Sequence, residues 1–324
     1  MRLAERSKAE QMKLLVSCIS TKHSVLKEHW SATSEKTACP LTTLGSYEKP
    51  KEDLGGLLCL VEDLGSSRKT FDLKMAAGMV DSEQGVFVTT FNGVAEFSPE
   101  QGTLRQDVVS LPQFNALHSI SRSLRGYLVA STGLDLVLEF NREGEVLWSW
   151  WATDHGFELT PDGRRREIDK AADYRAVRFG TLKQTTHVNS VAELPDGRVL
   201  ATLFHQGTVI AIDRASGAWQ NVLEGLDHPH SVRVLDELHF TVADTVHGRA
   251  ILASLKGSEG RIEAEVDAGT SWLQDCRYDA RHNCWVLVDG KNSRVILRRG
   301  PSGERTLARF DFDPEWRLYE AHIL

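Results

Sequence analysis

The side chains best suited to chemistry in this chain are histidines that recur in similar phrases. LHSISRS begins at Leu117, THVNSVAEL at Thr186, PHSVRVL at Pro229 and LQDCRYD at Leu273. Each phrase opens an amphipathic run, and each sets a polar or ionisable residue at the same place: His118, Asn189, His230 and Asp275. Strand alternation puts residues two apart on one side, which adds His187, His228 and Arg277 to the set. A neutral imidazole is a nucleophile, a general base or a metal ligand near neutral pH. A single histidine at a strand start most often satisfies backbone groups or binds water. Three with an asparagine at matched positions point to a site.

The elements that must position these residues follow from the spacing. Gly85, Gly126 and Gly197 sit in the first turn after each phrase, and Leu238 and Asn283 take that place in the last two. Counting back by the same interval gives the column Ala77, His118, Asn189, His230 and Asp275, separated by 41, 71, 41 and 45 residues. Short apolar runs alternate with Gly, Asn and Asp, the pattern of many short antiparallel strands. A period in the low forties with about four strands per unit predicts propeller blades. The expected fold is therefore all-β, a single β-propeller over 1–324. Five units cover about 71–315, and LLVSCIS and GLLCLVED, joined by the C-terminal RLYEAHIL, supply a sixth. Six blades are expected, with five or seven as alternatives. The long gap reads as an insertion over about 154–185, polar and carrying five arginines, expected as an irregular or short-helical excursion beside the histidine-bearing mouth. Its Arg164–Arg165–Arg166 run reads as solvated, or as a lid over the mouth. Residues 1–11 read as a loose extension and SATSEKTACPLTTLGSYEKPKEDLGG as a surface loop.

Composition narrows the function classes. The 324 residues carry a formal charge of -7 with 26% charged and 41% hydrophobic side chains. An acidic balance does not favour nucleic acid as partner. No run approaches a membrane span. LLVSCIS is too short and too soon followed by polar residues for a secretory signal. The five cysteines, Cys18, Cys39, Cys59, Cys276 and Cys284, form no CxxC and read as reduced thiols, so a cytoplasmic location is expected. His239 and His282 fall in turns or at strand edges, and His23, His29 and His322 have no phase with the column; all five read as structural. Trp148, Trp150 and Trp151 read as blade and rim packing.

LVLEFNREGEVLWSWWATDH followed by HVNSVAELPDGRVLATLFHQGTVIAID resembles the PAPS-independent arylsulfate sulfotransferases, mainly over about 115–250. The resemblance implies a six-bladed propeller in which a histidine transiently carries a sulfuryl group between two phenols. It implies His230 as nucleophile, with His118, His187 and Asn189 holding the transferred group. Phe204 stands where that family has an arginine, and Arg277 is the expected substitute. A fainter resemblance, in HPHSVRVLDELHFTVADTVHGRAILA, is to the peptidylglycine amidating lyase and NHL-type propellers. It implies that His118, His187 and His230 hold zinc or another divalent metal, with Asn189 and Asp275 behind them, in a lyase or hydrolase. Otherwise no cofactor is expected. A third reading is a non-catalytic ligand-binding propeller. Under each, the partner is a small molecule, aromatic or anionic, and the oligomeric state stays open.

Overall fold

A computed structural model describes residues 12–34, 44–62, 65 and 67–324. The 1–11 extension and Cys39 lie outside them. Six four-stranded antiparallel sheets form a ring, a six-bladed β-propeller. Blade 1 is built from both chain ends: Arg317–Ile323 is innermost, followed outward by Leu14–Ser20, Leu57–Glu62 and Ser67–Asp72. Blade 2 spans Met79–Val109, blade 3 Leu117–Trp151, blade 4 Val188–Leu223, blade 5 His230–Asp267 and blade 6 Leu273–Asp311. Pairing Leu14↔Ile323, Leu15↔His322 and Val16↔Ala321 closes the ring, so no sheet edge is left at the junction of the termini.

The strands read as continuous apolar runs because both faces of every blade are covered. Leu14, Val16 and Cys18 pack against Val286, Val288 and Val295 of blade 6, while Leu15 packs on the other side with Met79, Val86 and Val88 of blade 2. Four further interfaces of the same kind complete the circle. Cys18, Cys59, Cys276 and Cys284 are free thiols buried in these layers. Burial pushes Cys18 up to about 12 and Cys276 higher still, so both stay protonated and unreactive.

A second set of contacts ties neighbouring blades at the channel. The Val191 amide donates to Ser119 Oγ (3.1 Å), Val232 to Ser190 Oγ (2.7 Å), Cys276 to Ser231 Oγ (3.3 Å), Ala321 to Asp275 Oδ2 (3.2 Å) and Met79 to Glu320 Oε2 (2.8 Å). Gly78 completes this ring without a side chain, because a Cβ there would stand 2.6 Å from Ser119 Cα.

This ring corrects the register of blade 6. Asp275 belongs with the serines, not with the histidines; Gln274 takes the column position. The Leu273–Asp279 strand runs one residue further before its turn than Leu117–Arg122 does, pairing Asp279↔Cys284 where blade 3 pairs Arg122↔Tyr127. Counting back from the turn therefore lands one residue late.

The residues between blades 3 and 4 hold two 3-10 turns, Ala152–Asp154 and Thr181–Lys183, and an isolated bridge Leu159↔Arg165. They fold over the mouth where the innermost strands begin: Asn115 Nδ2 donates to the Tyr174 (2.6 Å) and Val177 (2.7 Å) carbonyls. Within the arginine run, Arg164 is exposed, but Arg166 is buried against Asp135, so the run is not a uniformly solvated patch. A helix, His23–Ser34, runs into the first four residues of the expected surface loop, and residues 44–50 of that loop form a strap that docks on this excursion. Among the described residues no helix is long and apolar enough to cross a membrane.

Candidate functional site at the channel mouth

With the register corrected, the innermost strand starts form two tiers. The lower tier is Ala77, His118, Asn189, His230, Gln274 and Tyr319. The upper, two residues earlier in each blade, is Met75, Ala116, His187, His228, Trp272 and Arg317. Met75, Ala116, His187 and His228 all have left-handed backbone, with φ of 54°, 49°, 49° and 57°. Non-glycine residues pay for this conformation, and its recurrence at one place in four blades marks a built feature.

One use of the strain is visible in the hydrogen bonds. The left-handed residue turns its carbonyl onto the imidazole two positions on. His118 Nδ1 lies 2.8 Å from Ala116 O, and His230 Nδ1 lies 3.0 Å from His228 O and 2.8 Å from Thr245 Oγ1. A carbonyl can only accept, so Nδ1 carries the proton and the Nε2 lone pair is free. His187 Nδ1 is tied to the Gln184 side-chain oxygen. Among the described residues no hydrogen bond reaches Nε2 of any of the three.

The imidazoles are neutral. Burial, with Lys49 nearby, lowers His118 to about 3. Burial and the neighbouring His118 lower His230 to about 3. Burial, then His118 and His205, holds His187 well below the usual histidine range. The rings of His118 and His187 are 5.1 Å apart and edge-to-face. His118 also meets Tyr319 at 5.6 Å, a contact that spans blade 2 because Ala77 presents only a methyl group there. Phe204, from the loop ending the second strand of blade 4, packs against His187 (4.7 Å), His228 (4.3 Å) and His230 (5.6 Å). Asn189 Nδ2 donates to Pro229 O at 3.3 Å; its Oδ1 is buried without a partner, as are Gln184 Nε2, His205 Nδ1 and Gln274 Nε2. Buried polar atoms without partners mark where a ligand or water completes the set.

Asp135 holds the segment that carries His187. Its carboxylate accepts the backbone N–H of Thr185 (2.8 Å), Thr186 (2.9 Å) and His187 (2.7 Å), the Thr186 hydroxyl (2.9 Å) and the Arg166 guanidinium. Burial alone would raise its pKa; Arg166 and these donors outweigh that and lower it.

The histidine set assembles as the spacing suggested for His118, His187, Asn189, His228 and His230, though His228 is engaged by Asp227. Asp275 and Arg277 do not join them. Asp275 is fully buried and bonded to Ser231 and Arg233. Arg277 lies further down the channel, donating to His322, whose Nε2 in turn meets Asp81 Oδ1 at 2.7 Å. It cannot replace the arginine absent at 204. The cations at this mouth come from elsewhere. Arg317 lies 5.1 Å over the Trp272 ring with its donors on Gly290 O and Gln274 Oε1. Lys49 comes from the strap. Neither was visible in the repeat pattern: the last strand has no following turn to count from, and the strap is not a repeat.

The neutral imidazoles carry a stability consequence. Each of His118 and His230 takes up a proton near pH 6.5 when unfolded but only near about 3 when folded. The unfolded state therefore binds more protons between these limits. Their contribution is complete above about 6.5 and is lost as pH falls toward 3, by up to about 1.4 kcal/mol per pH unit for each histidine. Chemical denaturation between pH 4.5 and 6 should show a shallower pH slope for His118→Asn, by about one proton. An unchanged slope would mean His118 is already charged in the fold.

No protein-family model matches the chain, and no curated protein matches it. Solved structures do. A protein of unknown function from Bacteroides caccae aligns with a TM-score of 0.60 at 12% identity, covering 96% of this chain and 98% of its own. The periplasmic gluconolactonase of Pseudomonas aeruginosa aligns at 0.53 and 12%, covering 96% and 99%. A putative 6-phosphogluconolactonase from Bacteroides uniformis aligns at 0.53 and 10%, covering 97% and 100%. At these identities the likeness shows the six-bladed propeller fold alone.

Proposed function

We propose that the protein is a propeller enzyme with its active site at the histidine-bearing mouth, transferring a sulfuryl group from an aryl sulfate to a phenol with His230 as nucleophile. The observation that carries this reading is the state of His230: neutral, with Nδ1 fixed by His228 O and Thr245 Oγ1 and Nε2 unengaged. That is what an imidazole nucleophile needs. That other propellers of this shape are named lactonases supports an enzymatic reading in general.

In the proposed reaction the Nε2 lone pair of His230 attacks sulfur. The S–O bond to the donor breaks, and the aryloxide leaves with the bonding pair. The resulting sulfo-imidazolium keeps its Nδ1 proton against the His228 carbonyl. The acceptor phenol then gives its proton to His187 Nε2 and attacks sulfur, the N–S bond returns its pair to His230, and His187 passes the proton to the departed aryloxide. The second Nδ2 hydrogen of Asn189, whose first goes to Pro229 O, is offered to a sulfuryl oxygen, and the bare Nε2 lone pair of His118 accepts from the hydroxyl of the incoming phenol and orients it. Turnover of p-nitrophenyl sulfate that depends on an added phenol tests the reading; no colour release with any aryl sulfate would overturn it.

The second reading, a histidine-ligated metal enzyme, has one observation in its favour: metal-bound imidazoles also tie their other nitrogen to an oxygen. Against it, among the described residues no group of three or more His, Cys, Asp or Glu side chains is disposed to hold a metal ion, and the Phe204 ring packs against both His187 and His230. Protein purified without chelator should carry no stoichiometric metal by elemental analysis. Near-stoichiometric zinc that is lost in His118→Ala would instead favour a lyase or hydrolase. Tight binding without turnover would favour the ligand-binding propeller.

A further inference from the structure

The lower tier divides by chemistry. His118 and His230 present bare Nε2 lone pairs, which only accept. Gln274 and Tyr319, on the adjoining blades 6 and 1, present donors. The sense of the Gln274 amide is fixed by its partners. Trp272 Nε1 (2.9 Å) and Arg317 Nη2 (3.3 Å) can only donate, so the atom they meet is the oxygen. Gln274 Nε2 is left buried without a partner, on a residue 4% exposed. Gly290 backs the arrangement: a Cβ there would stand 3.1 Å from both Gln274 Cβ and Arg317 Nη1. Tyr319 is 6% exposed, and its ring meets His118 edge-to-face at 5.6 Å. Among the described residues no hydrogen bond reaches its hydroxyl. Burial, then Glu320 and Asp275, holds that hydroxyl well above the usual tyrosine range, so it keeps its proton and can donate.

Behind Gln274 stands a buried cation that makes no ion pair among the described residues. Arg317 lies between the Trp272 and Trp30 rings, 5.1 and 5.8 Å away, with Nη1 on Gly290 O. Burial brings it down to about 10, which leaves it charged at neutral pH. Asp289, whose charge it feels, is bonded instead to Thr270, Lys291 and Asn292. The carboxylates next in sequence to the two donors are also taken: Asp275 and Glu320 hold Arg233 and the amides of Ala321 and Met79. A charged donor on the amide oxygen polarises the amide and strengthens its N–H groups. A buried donor without an acceptor is costly, and a positive charge behind it makes an anionic oxygen the fitting acceptor. Gln274 and Asn189 flank His230 from blades 6 and 4, and Trp272, to which Gln274 is bonded, lies 6.1 Å from the His230 ring.

We infer that Gln274 and Tyr319 are oxyanion donors of this mouth, binding terminal oxygens of the sulfuryl group that His230 attacks, with Arg317 as the fixed charge behind them. The inference rests on the sulfuryl-transfer reading of the site. Asn189 serves one sulfuryl oxygen from one side of His230; Gln274 and Tyr319 serve the others from the opposite side.

Two exchanges separate this role from packing. Gln274→Glu keeps an oxygen for Trp272 and Arg317 and gives Arg317 a carboxylate partner, but puts negative charge where the free N–H was. Tyr319→Phe removes the hydroxyl alone. Residues that only pack the channel would tolerate both changes. As oxyanion donors, they should lower phenol-dependent turnover of p-nitrophenyl sulfate by about 10²–10³-fold in Gln274→Glu and at least about tenfold in Tyr319→Phe. Calorimetric titration of the full chain with the same ester should show affinity reduced about tenfold or more in Gln274→Glu. The neutral aromatic 4-nitroanisole should bind alike in all three proteins. Gln274→Glu should melt no lower than wild type; where it does, Tyr319→Phe alone decides. Equal loss of both ligands overturns the inference. If wild type binds the ester without turning it over and Gln274→Glu loses that binding, the donors stand and sulfuryl transfer fails. If both variants bind and turn over as wild type does, transfer stands and the donors fail. A wild type that binds no sulfate ester overturns both.

Discussion

His230→Ala is expected to lower phenol-dependent release of p-nitrophenol by at least about 10⁴-fold, with donor binding nearly unchanged, because the nucleophile contributes only once bonds begin to change. The imidazole packs against Phe204 and Trp272, 5.6 and 6.1 Å away, so its loss leaves a cavity and not a collapsed channel. Added free imidazole should then recover part of the rate. A variant that keeps a tenth of wild-type activity would remove His230 from the reaction and leave it as a packing residue. His187→Ala should give a different pattern, with the loss falling mainly on the step that depends on acceptor.

Asp135→Asn is expected to be the most damaging single exchange at the mouth that leaves every histidine in place. The carboxylate accepts three successive backbone amides and the Thr186 hydroxyl and faces buried Arg166. An amide of the same shape turns an NH₂ group toward donors and leaves the Arg166 charge unbalanced. Breaking one side of a buried ion pair costs about 3–5 kcal/mol. For a domain of this size that lowers Tm by several degrees, roughly 5–10 °C. Because the same carboxylate fixes the left-handed turn at His187, activity should fall further than stability explains. Thermal unfolding and turnover measured side by side check this; a Tm within a degree of wild type would show that the three amides find other acceptors.

The architecture was readable because a blade repeats one pattern. Turn glycines at 85, 126 and 197, and alternating apolar runs, mark units of similar length, and both termini show the spare strands that close the ring. The same repetition located His118, Asn189 and His230, whose places follow from counting within a blade. It failed where local geometry departs from the repeat. One extra residue before the turn in blade 6 moved the count from Gln274 to Asp275, and with it Arg277 into a site it does not reach. His187 and His228 do stand at the mouth, but on left-handed backbone just ahead of the strand, so simple alternation is not what places them.

Other parts of the site lie outside any repeat. Tyr319 and Arg317 belong to a strand that ends the chain, with no second strand after it to set a register. Lys49 lies in a segment whose composition is that of a surface loop; Ser46 and Tyr47 of that segment dock on Gly180, Leu182 and Asp162, and the Lys49 charge is felt at His118 and His187. Asp135 looks like an ordinary turn aspartate until the excursion after blade 3 returns and presents its amides to it. In each case the missing information was a contact between segments distant in sequence, which spacing within one segment does not encode.

The most direct measurement of the central claim is to trap the covalent form. Full-length protein mixed with a radiolabelled aryl sulfate in the absence of acceptor, quenched in alkali and digested, should carry label on the peptide containing His230 and on no other. Adding phenol before the quench should discharge it. Label on a different residue, or stoichiometric aryloxide release with no labelled peptide, would contradict the account.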